Sequence, residues 1–171
     1  MRKLLAAVCC VVAASSVQAA PEIRIAVAAN LLPLMEGAVA DYQQETGNKV
    51  VISGGSSGVF FEQIQRGAPF DIFFSADAER PDRLAAADKG TDSATYACGQ
   101  LAFWTPAAKP DVLSIPAGKI AVAQPDTAPY GKAAIQALES TQQLPALQDR
   151  LVYGQDIGQT YQFVFSHSAP S

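Results

Sequence analysis

The run Gly54-Gly55-Ser56-Ser57-Gly58 sets two hydroxyls among glycines, where the backbone can come close to a ligand. Those hydroxyls can donate hydrogen bonds to an oxyanion, as can the side-chain amide of Asn30 in the turn Ala28-Ala29-Asn30. The turns Asp126 to Gly131 and Gln155-Asp156-Ile157-Gly158 share this small or polar character. All four are nearly free of Lys and Arg; only Lys132 is near, inside the helix that follows its turn. An anion bound here would be held by neutral donors. Each hydrogen bond to a charged acceptor adds about 1.5–3 kcal/mol, and each helix N-terminus roughly 0.3–1 kcal/mol when exposed. Such a site prefers a fully deprotonated anion, because a proton on the ligand would face another donor. Asn30 and Ser57 could equally serve as helix caps, and spacing alone leaves both roles open.

Other chemistries fit less well. Gly54 to Gly58 satisfies the G-x-S-x-G pattern of a nucleophile elbow, and Ser56, Asp156 and His167 follow in hydrolase order. However, His167 is the single histidine and stands four residues from the last, where chains are usually poorly ordered. No glycine-rich oxyanion motif precedes the turn, and the helix after it is short. One His and one Cys far apart make no metal-ligand set, and no Gly-Lys-Ser/Thr follows the glycines to cradle phosphates. These features argue against catalytic residues and against a cofactor.

The elements that position these turns alternate along the chain. Ile23, Ile25 and Val27 alternate as on a strand. Asn30 offers an N-cap, and Leu31, Leu34, Ala38 and Tyr42 then recur at helical spacing until Gly47. Lys49 to Ser53 predicts a second strand, followed by a short helix with Phe60 and Ile64 on one face and Gly67 as its stop. Further strands are expected at Asp71 to Phe74, Gln100 to Trp104, Lys119 to Ala123 and Leu151 to Tyr153. Helices are expected at Pro81 to Lys89 closed by Gly90, at Tyr130 to Ser140 and at Ile157 to Phe165. Pro106, Pro110 and Pro116 mark a loop-rich passage. This alternation predicts an α/β fold with parallel sheets flanked by helices. In such sheets ligands sit at the carboxyl ends of strands, against helix N-termini.

Met1-Arg2-Lys3, the apolar run Leu4 to Ala14 and the short residues Val17-Gln18-Ala19 have the layout of a cleavable signal peptide, residues 1–19. The run is well short of the ~20 residues that span a bilayer. Mean hydropathy over the whole chain is +0.12, as for an ordinary globular protein. The 12 basic residues lose Arg2 and Lys3 with the leader, leaving 10 against 16 acidic ones. A net acidic chain without basic runs argues against nucleic acid or an anionic membrane as partner. Cys9 and Cys10 leave with the leader, so Cys98 stands alone without a disulfide; its strand-like neighbours predict a buried thiol.

Five segments taken together resemble the periplasmic molybdate-binding proteins of ABC transporters. They are Ala26 to Asn30, Gly54 to Gly58, Gly67 to Asp77, Ala121 to Gly131 and Gly154 to Thr160. The resemblance implies a type II periplasmic-binding-protein fold of two lobes, here residues 20–100 and 101–171. It implies a monomer that captures molybdate or tungstate in the cleft without positive side chains and delivers it to the membrane permease of an ABC importer. By motif, Asn30 and Ser57 would bind from the first lobe, and Tyr130 and Ile157 from the second through backbone N–H groups. Asn30 replaces the serine common at its position, and an amide still donates. Ser56 would assist or only shape the turn. The family continues past the helix ending near Phe165 with a turn, a strand and a return to the first lobe. This sequence stops at Ser171, so an incomplete second lobe is expected. Sulfate or thiosulfate remains the alternative ligand, and a serine hydrolase using Ser56 the alternative class.

Overall fold

The computed structural model describes residues 22–105, 115 and 117–169. The leader and the three prolines 106, 110 and 116 fall outside these residues. Two parallel sheets form the frame, of three strands and of two.

The first sheet is built from β1 (Glu22–Ala28), β2 (Lys49–Gly55) and β3 (Ile72–Phe74), in the order β2-β1-β3. The central strand is the apolar one: Ile25 to Ala28 are all buried. Its side chains alternate between faces, as a strand's must. Ile25 and Val27 pack with Val39, Leu31 and Met35 of the segment holding α1 (Leu32–Thr46). The other face receives α2 (Ser57–Gln65) and α3 (Glu79–Ala86), where Phe61, Ile64 and Leu84 cluster with Phe70 and Phe73. Register aligns Val27 with both Gly54 and Phe74, so the carboxyl ends of all three strands stand level.

The second sheet pairs β4 (Ile120–Ala123) with β5 (Leu151–Gly154), Ala123 opposite Gly154. Around it lie α4 (Pro129–Ser140), the one-turn α5 (Leu144–Leu147) and α6 (Ile157–Phe165). Ile120, Val122, Leu147 and Leu151 form its core, extended by Phe103, Ile135 and Leu138. The alternation of strands and helices is as the sequence predicts, and the last helix has the expected bounds.

Several local expectations are corrected. The core-facing stripe at α1 is the N-cap Leu31, Met35 and Val39, spaced four apart with Val39 buried, whereas Leu34 is 71% exposed, Tyr42 40%, and Ala38 is exposed too. Asn30 caps nothing: the N-cap is Leu31, with no side-chain bond. Gly47 does end this helix in the left-handed conformation, at φ 71°. Residues 100–104 form no strand; Leu101 and Trp104 are each 43% exposed, and only Phe103 reaches a core. Cys98 lies in the same irregular stretch and is exposed, because no neighbouring strand covers it. The helix expected from Pro81 to Lys89 begins two residues earlier and ends at Ala86, with Asp88 left-handed at φ 53°. Pro81 is tolerated there because the first turn needs no donor. Among the described residues no helix is long and apolar enough to cross a membrane.

Candidate functional site

Four strands, β1, β2, β4 and β5, each run through a short turn into the N-terminus of a helix. The first N–H groups of those helices have no intrahelical acceptor. For α1, α2 and α4 no side chain caps them either. Pro33 and Pro129 near the starts of α1 and α4 suit the first turn, where a missing N–H costs nothing. The fourth helix, α6, is capped by Asp156, whose Oδ1 accepts from the Gln159 N–H at 2.9 Å.

These four ends converge. A small cavity of about 10 Å³, room for the centre of roughly one water, is lined by Asn30, Ser57, Tyr130 and Ile157 together. Ala29, Ala76 and Ala128 are among the small residues that complete its wall. All four residues singled out from the sequence therefore meet in one place, drawn from both sheets. A wider cleft of about 570 Å³ opens beside it, sharing Gly55, Ser56 and Asp156 and reaching Gln63, Gln124 and Tyr153. The small cavity is the candidate site because residues from all four helix starts line it, with the cleft beside it.

Ser57 is the most constrained of the four, at 1% exposed. Its Oγ accepts a hydrogen bond from the Ala76 N–H at 2.9 Å. With that lone pair engaged, the hydroxyl proton is left to donate. Ser57 caps nothing, since the N-cap of α2 is Ser56 and no side-chain cap bond is made. Asn30 is exposed on the turn, which is tied down by Ala29 N–H to Gly55 carbonyl and Leu31 N–H to Ala28 carbonyl, both 2.9 Å. Tyr130 and Ile157 occupy the first turns of α4 and α6, so their N–H groups are among the free donors.

Three groups escaped the sequence reading. The Ala76 N–H orients Ser57 from 19 residues away. The Thr127 carbonyl accepts from Ser56 Oγ at 2.5 Å and from Gly58 N–H at 2.8 Å. Arg80 reaches the Asp126 carbonyl at 3.4 Å, so a cation does stand near the third turn, but its guanidinium is paired with Asp77. Only the sequence Asp77-x-x-Arg80 at a helix start could have hinted at that pair.

The hydrolase arrangement is not assembled. Ser56 donates its proton to a backbone carbonyl, and Asp156 is engaged as a cap. His167 sits exposed past the far end of the nine-residue α6, at φ 58°. At ~1.5 Å per residue that is about 14 Å from the helix start.

Residues 23–170 match the family described as bacterial extracellular solute-binding protein. The chain belongs to that family. Among bacterial extracellular solute-binding proteins, it is 40% identical over 161 residues to the molybdate-binding protein ModA of Azotobacter vinelandii. It is 39% identical over 160 residues to that of Rhodobacter capsulatus. These alignments take in 88% and 89% of this chain and 63% of each relative, so the chain spans under two thirds of their length. The solved Azotobacter vinelandii periplasmic molybdate-binding protein superposes with a TM-score of 0.78 at 34% identity, covering 86% of this chain and 68% of that one. The fold class is thereby the expected one, the periplasmic-binding-protein fold with parallel sheets flanked by helices.

Proposed function

We propose that this chain captures molybdate or tungstate outside the cytoplasm and delivers it to the membrane permease of an ABC importer. One observation carries the reading: four helix N-termini from two sheets meet at one small cavity with neutral donors, no Lys or Arg among its described lining residues, and its one carboxylate, Asp156, engaged as a helix cap. Helix ends and neutral hydrogen-bond donors suit a dianion. Arg80, which reaches the Asp126 carbonyl of the third turn, is paired with Asp77. The relatives named above bind molybdate, which supports that ligand over sulfate or thiosulfate.

In this reading the lobes are residues 20–100 and 101–171, and the protein works as a monomer without a cofactor. Asn30 gives its side-chain amide and Ser57 its hydroxyl from the first lobe. Tyr130 and Ile157 give backbone N–H groups from the second. A leader at residues 1–19 carries the chain to the periplasm, and the intact mass of periplasmic protein should correspond to a start at Ala20. Full-length protein held in the cytoplasm would contradict export. The function is tested by thermal shift with a panel of oxyanions, since a ligand that binds only the folded state raises the melting point by mass action. Molybdate and tungstate should raise it more than sulfate or phosphate. Equal shifts with every anion would contradict a shaped site.

A further inference from the structure

We infer that Gly58 and the Thr127 carbonyl form a built-in latch that holds the two lobes together around the ligand. The inference rests on the two-lobed reading above. Gly58 is the second residue of α2, on the first sheet's side, and its N–H is one of the donors the helix cannot use. Its acceptor is the Thr127 carbonyl, 2.8 Å away on the turn that follows β4 of the second sheet. Ser56, at the N-cap, turns its hydroxyl from its own helix to the same carbonyl. One helix end of the first lobe is therefore capped by a backbone oxygen of the second.

The glycine itself points to this contact. Gly58 is not among the residues at positive φ, so its backbone would accept alanine, and alanine is the better helix former. Yet a Cβ at Gly58 would lie 2.5 Å from the Thr127 oxygen and 2.8 Å from its Cα. Those are backbone atoms, which cannot swing aside as a side chain could. The absence of a side chain at residue 58 thus serves the approach of the lobes, not the helix. Two flanking contacts run the same way: Arg80 to the Asp126 carbonyl, and Lys132 Nζ to Glu79 Oε2 at 3.2 Å.

A contact that favours the closed state without touching the ligand raises the competent population before binding, and with it the apparent affinity. It must also slow release, because the lobes part before the anion leaves. Thr127 and Gly58 are accordingly positioning residues, not ligands. The test uses the chain from Ala20 onward with Cys98→Ser and spin labels at two exposed sites, Glu45→Cys in the last turn of α1 and Glu139→Cys in α4. Gly58→Ala should shift the inter-label distances to longer values and speed molybdate release at least tenfold, with helical content retained. Ser56→Ala, which removes one bond without adding bulk, should give a smaller shift in the same direction. Gly37→Ala, where a Cβ meets nothing within 4 Å, should change neither. Unchanged distances in both Gly58→Ala and Ser56→Ala would overturn the latch. Absence of molybdate uptake by the unsubstituted chain would instead sink the proposed function, and the distances would still decide the latch.

Discussion

At the scale of single residues, Ser57 bears the sharpest prediction. It is buried, its oxygen is engaged by the Ala76 N–H, and its proton is free to donate. Ser57→Ala should weaken molybdate binding by about 1.5–3 kcal/mol, roughly ten- to 150-fold, as read by calorimetry. The fold should lose little, because this hydroxyl caps no helix. Lys132→Ala should cost less than Ser57→Ala, since Lys132 is a half-exposed partner of Glu79 and does not line the cavity. The reverse order would mean that charge holds the anion. Glu79 adds a pH dependence of defined sign. Its hydrogen bond and proximity to Lys132 lower its pKa below the usual glutamate value. The pair's contribution to closure is therefore complete above the ordinary glutamate range and is lost as pH falls through the depressed value. Label distances between the lobes should lengthen as pH falls below the ordinary glutamate range, and Glu79→Gln should remove that step while leaving the lobes somewhat looser at neutral pH.

At the scale of elements, the site depends on helix starts, and α6 has the one with a side-chain cap. Asp156→Ala should cost about 1 kcal/mol of stability, seen as a lower melting temperature, and should loosen the Ile157 N–H that the site is proposed to use. An unchanged melting point would show that the cap is idle. These starts were legible in the sequence because each is written locally: a strand's alternation, then small or polar residues, then helical spacing. The end of α1 was legible for the same reason, since Gly47 marks it with a left-handed turn. The Ser57–Ala76 bond spans 19 residues and the Ser56–Thr127 bond 71, and no local pattern encodes such pairings. The misjudged strand at 100–104 has the same cause. Leu101, Phe103 and Trp104 supply apolar side chains, but strand formation needs a partner edge, and among the described residues none pairs with them.

At the scale of the whole molecule, the candidate site, the cleft beside it and the proposed latch all lie where turns after the strands of the two parallel sheets meet. Each sheet has its own apolar cluster, so a core substitution should act mainly on its own side. Leu147→Ala should cost about 2–5 kcal/mol and broaden or split the melting transition, since it empties part of the second cluster alone. The central claim, that neutral donors from both lobes hold a tetrahedral dianion, is tested most directly by titrating the full chain with molybdate, tungstate, sulfate and chloride in a calorimeter at low and high salt. The account predicts saturable binding of molybdate and tungstate, weaker binding of sulfate, none of chloride, and little salt dependence beyond competition. Binding that follows anion charge alone and falls steeply with ionic strength would contradict it.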